Sequence, residues 1–139
     1  MNIPSEIRAG DTVKWRDSAT ADVFENVIDS SSWTLKYFLR TNGDGEGHTS
    51  TGTVYEDGWE FNISATDSAL FDAGDWFWQA IASKGSEKIT IGYGNLKVEA
   101  ALEYAGLPGA FDGRSQAKKD LEAVQTAIRT LIAGGAVQE

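Results

Sequence analysis

Between Asp11 and Glu99 apolar and polar residues alternate with a period of two, and that alternation limits the fold more than any other feature. In "WTLKYFLR", Trp33, Leu35, Tyr37 and Leu39 share one face of an extended strand, and Thr34, Lys36, Phe38 and Arg40 share the other. "TVKW" puts Val13 and Trp15 on one side. "WEFNI" puts Trp59, Phe61 and Ile63 opposite Glu60 and Asn62. In "DWFWQAIAS", Trp76, Trp78, Ala80 and Ala82 oppose Phe77, Gln79 and Ile81. Adjacent strand residues point opposite ways, so at least one of these rings must face solvent, a sheet edge or a partner.

Turn signals separate the runs. Asp57-Gly58 is the expected two-residue turn of a hairpin in "TSTGTVYEDGWEFNIS". "KGSE" is expected to turn the chain into "KITIGY", and "NLKVE" closes the series. "TDSALFDAGD" suits a single helical turn capped by Thr66 or Asp67. About seven short strands at this spacing predict a mainly β domain over residues 1–99: an immunoglobulin-like antiparallel β-sandwich, with a small barrel as the alternative.

The chain has no cysteine, which removes disulfides, thiolate zinc sites and cysteine nucleophiles together. Packing must then supply the stability, and the 5 Trp, 4 Tyr and 6 Phe are suited to filling a small core. Net charge is −9, with 8 basic against 16 acidic residues up to Glu99. That surface repels phosphate and has no Lys/Arg cluster, so no nucleic-acid partner is expected. No apolar stretch reaches the roughly 18 residues of a membrane span, and no signal peptide is expected from "MNIPSEIRAGDTVKW".

Beyond the β region, "AALEYAGLPGAFDG" (100–113) reads as a Gly/Ala-rich linker. Its Leu102, Tyr104, Leu107 and Phe111 are apolar enough to lie along a surface. Residues 114–139 then carry Leu121, Val124, Ile128, Leu131 and Ile132 at helical spacing. Asp112 or Ser115 can cap the start of that helix and Gly134-Gly135 can end it. Burying five such side chains is worth on the order of 10 kcal/mol, at about 2 each. The stripe is therefore expected to be covered, and these five residues are the predicted partner interface.

Candidates for chemistry are few. "NGDGEGHTS" places Asn42, Asp44 and Glu46 between glycines and loosely matches the opening of a calcium loop. Thr53, at the twelfth position, cannot supply the closing carboxylate, and a solvated hairpin tip is the expectation. His48 is the single histidine, read as an exposed loop residue with no nucleophile motif beside it. No glycine pair precedes a helix as a phosphate cradle must. The prediction is a protein that is not an enzyme, with no catalytic, cofactor-binding or metal-ligating residue assigned.

"KKDLEAVQTAIRTLIAGGAVQE" resembles the opening of the head–tail joining protein W family of lambda-like tailed bacteriophages. Leu121, Ala127, Leu131, Ile132, Gly134 and Val137 occupy that family's apolar, small and turn positions. The family module continues into a hairpin and a second helix, whereas this chain stops at the first strand, so that module is incomplete here. Separately, Trp76, Trp78, Gln79, Ala80 and the Lys84-Gly85 turn resemble immunoglobulin-like sandwiches of phage structural proteins. The resemblance implies a virion component, assembled in the host cytoplasm, that forms a ring of copies or joins portal and neck proteins without catalysis. A capsid-decoration or surface-adhesion module binding capsid or glycan is the alternative it leaves open.

Overall fold

The structure, a computed structural model, describes residues 1–110 together with Val124 and Gln125. The chain divides into two compact units, Met1–Leu102 and Glu103–Glu139. The first is mainly β. Its elements are β1 (Glu6–Arg8), β2 (Val13–Asp17), the short pair β3 (Thr20–Ala21) and β4 (Val27–Ile28), β5 (Thr34–Arg40), β6 (Gly47–Thr51), β7 (Thr53–Tyr55), β8 (Gly58–Ile63), α1 (Ala65–Ser68), β9 (Gly74–Lys84) and β10 (Glu87–Glu99). One sheet has five strands in the order β1-β10-β9-β5-β6, and a second has three in the order β2-β8-β7. β1 runs parallel to β10 and every other pairing is antiparallel.

The period-two pattern becomes the core. Trp33, just before β5, and Leu35, Tyr37 and Leu39 within it are buried, as are Val13 and Trp15 of β2, Trp59, Phe61 and Ile63 of β8, and Trp76, Ala80 and Ala82 of β9. Trp15 and Phe61, neighbours in the three-stranded sheet, stack at 5.0 Å with their planes 10° apart. Tyr37 of the five-stranded sheet meets both edge-on, at 5.1 Å and 4.7 Å. Edge-to-face rings gain roughly 0.5–1.5 kcal/mol beyond their buried area, so these contacts bind one sheet to the other.

Polar atoms carried inward with the rings are mostly paired. The Tyr37 hydroxyl donates to Asp17 Oδ2, and the Asn2 backbone N–H donates to Asp17 Oδ1 at 2.7 Å. Burial, reinforced by the Asp17 hydrogen bond and charge, pushes the Tyr37 phenol far above its usual range, so it remains a neutral donor. The indole N–H groups of Trp59 and Trp76 donate to the Trp33 and Asp72 carbonyls at 3.2 Å and 2.9 Å. Trp15 Nε1 is buried without a partner among the described residues, a cost offset by the packing of its ring.

Several local expectations change. The β7–β8 hairpin turns at Glu56-Asp57, with Glu56 at φ 54°, one residue earlier than predicted. Gly58 is already in β8, paired with Tyr55, and must be glycine there because a Cβ would lie 2.0 Å from the Asp17 carbonyl oxygen. "KITIGY" and "NLKVE" form the single strand β10, interrupted by a bulge between Thr90 and Gly92. Gly94 does not turn the chain: a Cβ there would be 3.0 Å from the Trp78 indole, which is half-buried rather than fully inward. The helical turn forms where predicted, but its cap is Ser64, whose hydroxyl accepts from the Asp67 N–H at 3.1 Å.

Two substitutions test this account. Tyr37→Phe leaves the buried Asp17 carboxylate short of a donor and is expected to lower unfolding free energy by about 1–3 kcal/mol in urea titration. Gly58→Ala drives a methyl into backbone and is expected to cost more than about 2 kcal/mol by the same measurement.

Candidate functional site

Among the described residues, a groove lies on the outer face of the five-stranded sheet, where the strand register decides which outward residues meet. One cross-strand row reads Tyr93, Gln79, Phe38 and Thr49, from β10 through β9 and β5 to β6. The next reads Asn95, Phe77, Arg40 and Gly47. Rings and planar polar groups therefore alternate both along and across the strands. Tyr93 is 82% exposed, and Phe38 and Phe77 are 41% and 39% exposed, so each offers a ring surface to solvent.

Tyr93, Gln79, Phe38, Asn95, Phe77 and Arg40 line a groove of about 420 Å³. A second hollow of about 620 Å³ shares Phe38, Arg40 and Gln79 with it and runs on toward Glu46 and His48. Gln79 is held in place, since its Nε2 donates to Thr90 Oγ1 at 2.7 Å. The Thr90 position facing it comes from the residue count before the β10 bulge.

The 41–47 loop at the far end is braced from within. Gly43 N–H donates to Thr41 Oγ1 at 2.9 Å, and that hydroxyl donates to a Glu46 carboxylate oxygen at 2.7 Å. A Cβ on Gly43 would sit 2.6 Å from the same carboxylate, so glycine is needed for this closure. Hydrogen bonding with Asp72 and from Thr41 holds the Glu46 carboxyl below its usual range, and the same interaction with Glu46 raises Asp72. Glu46 is thus occupied by Thr41 and Asp72, and among the described residues no group of three His, Asp or Glu is placed to hold a metal ion. His48 is not a loop residue. It lies in β6, half-buried, with its ring 5.4 Å from Phe71.

At the opposite end, the turn between β3 and β4 lifts Val23 and Phe24 into solvent, 90% and 80% exposed. Asp22 Oδ1 accepts from the N–H groups of Phe24 and Asn26 at 2.8 Å and 2.9 Å, which fixes the tip. Glu25 takes φ 64° to complete it. The apolar pair in "DVFEN" was the one sequence signal for this tip, and it has no periodicity to reveal it.

Of the predicted partner interface, Val124 is helical and exposed, while Leu121, Ile128, Leu131 and Ile132 lie outside the described residues. Leu102, Tyr104 and Leu107, expected to lie along a surface, are exposed, and Phe111 lies outside the described residues. No helix among the described residues is long and apolar enough to cross a membrane. No protein-family model matches the chain, and no curated protein matches it.

The Asp22 bonds, that from the Asn26 N–H foremost, hold its carboxyl below the usual range. A depressed folded pKa means that this bracing is complete above the unfolded value and is lost as pH falls through the folded one. Asp22→Ala is accordingly expected to lower the hydrogen-exchange protection factors of the Phe24 and Asn26 amides at neutral pH, and acidification of the wild type to lower the same protection factors, each taken relative to the intrinsic exchange rate at that pH.

Proposed function

We propose that the chain is a bacteriophage virion structural protein without catalysis: an immunoglobulin-like β-sandwich carrying a C-terminal amphipathic helix, assembled in a neck or head–tail connector ring near the portal. Support for the sandwich type comes from strand order. β5, β9 and β10 share one sheet as the C, F and G strands do, and β2, β8 and β7 share the other as B, E and D. The observation that carries the assembly role is in the sequence: five large apolar residues recur at helical spacing beyond the β domain, a stripe that is costly to leave in water. The stripe of Leu121, Val124, Ile128, Leu131 and Ile132 is then best used against neighbouring subunits or portal and neck proteins. An acidic sandwich presented outward keeps copies apart except at that seam.

Leu131→Asp is expected to leave the sandwich folded, judged by an unchanged cooperative melt, and to abolish assembly measured by light scattering. A variant lacking 114–139 is expected to behave the same way. A melt that collapses in Leu131→Asp makes the helix part of the domain core and ends this reading.

The outer sheet face favours a second reading, a capsid-decoration or surface-adhesion module. Three exposed rings on one strand-built face are more than solubility calls for.

A further inference from the structure

The alternation on the outer face of β5, β9 and β10 bears on what can sit there. A protein partner's interface has an apolar centre that becomes dry. Phe38, Phe77 and Tyr93 instead occupy diagonal positions of the face, and Gln79, Arg40 and Asn95 hold the positions directly across from them, so polar groups edge every ring. A pyranose ring has the complementary character: C–H groups on its faces, which lie on aromatic rings, and hydroxyls around its rim, which pair with amide and guanidinium groups. The spacing of rings and polar groups thus suits sugars better than a protein surface.

Shape and charge narrow the class. The two hollows meet at Phe38 and Arg40, making a trough that crosses from β10 to β6. Three strand spacings of about 4.8 Å give it a span of about 14 Å, longer than one sugar ring. The chain carries a net charge of −9, which disfavours a polyanionic ligand, and Arg40 is the sole cation among the six side chains. The supporting backbone is paired strand rather than loop, and Thr90 already holds the Gln79 amide, so little ordering is left to be done on binding.

We infer that this face is a binding site for a neutral, linear oligosaccharide, with Phe38, Phe77 and Tyr93 as stacking platforms and Gln79, Arg40 and Asn95 as hydroxyl partners. The inference deepens the surface-adhesion reading and uses no residue of 114–139.

The test titrates the ¹⁵N-labelled full chain with cellohexaose, chitohexaose and maltohexaose, with polygalacturonate as the acidic arm, alongside an array of bacterial surface glycans. At least one neutral glycan is expected to bind and to shift amides around Phe38, Phe77 and Tyr93. Tyr93→Ala and Gln79→Ala are each expected to weaken it about tenfold. Both are outward-facing, and a melting temperature equal to that of wild type shows that the fold is kept. Absence of neutral-glycan binding, binding of the acidic polymer alone, shifts centred on Val23 and Phe24, or affinity unchanged in both variants would each overturn the site. So would shifts that follow protein concentration instead of glycan, which mark a self-contact. Binding of the chain to capsids or whole cells with glycan binding absent would overturn the oligosaccharide assignment while leaving surface adhesion standing; loss of both removes both.

Discussion

The contact of Tyr37 with Trp15 and Phe61 is the junction on which the rest of this domain depends. It is the place where a residue from the five-stranded sheet enters a stacked pair from the other, so it sets how the sheets face each other. Its hydroxyl ends on Asp17, which also anchors the Asn2 backbone. One buried polar network thereby ties the N-terminal segment, the last residue of β2 and the centre of β5 together. With no disulfide available, this aromatic layer and its few satisfied hydrogen bonds take over the role of a covalent staple.

Because the inner faces consume most of the large residues, what remains on the outer face stands out. Phe38 and Phe77 are the outward members of strands whose inward members are Tyr37, Leu39 and Trp76. They bury nothing in the sandwich core, and Tyr93 buries less still. The glycines of β10 contribute from beneath: Gly92 and Gly94 make room for the Trp78 ring, letting β9 and β10 lie close despite three consecutive aromatics in β9. The loops at either end are stiffened differently, Asp22 gripping amides at one and the Thr41 hydroxyl joining the Gly43 N–H to the Glu46 carboxylate at the other. Rigid ends and paired strands make the trough a preformed surface, which is the condition under which weak stacking contacts yield useful affinity.

Much of the core was legible because period two has a single physical meaning. The inward set of β5 and that of β8 follow directly from "WTLKYFLR" and "WEFNI". Errors gathered where glycine has two uses. Gly58 read as a turn residue and Gly94 as a gap between two strand runs, but each is required by a close approach across strands, to the Asp17 carbonyl and to the Trp78 indole. His48 read as a loop residue for a similar reason, since only its pairing with Leu39 across β5 and β6 makes it part of a strand.

Alternation by itself determined which side chains of each strand share a face, that both faces of β9 carry rings, and that the domain would be mainly β. It did so because side-chain direction in an extended chain is a local property. Which outward residues become neighbours was decided only by tertiary structure. The row of Tyr93, Gln79 and Phe38 depends on register across three strands and on a bulge that shifts half of β10 by one residue. Register is set by the whole core at once, so no single stretch of sequence contains it.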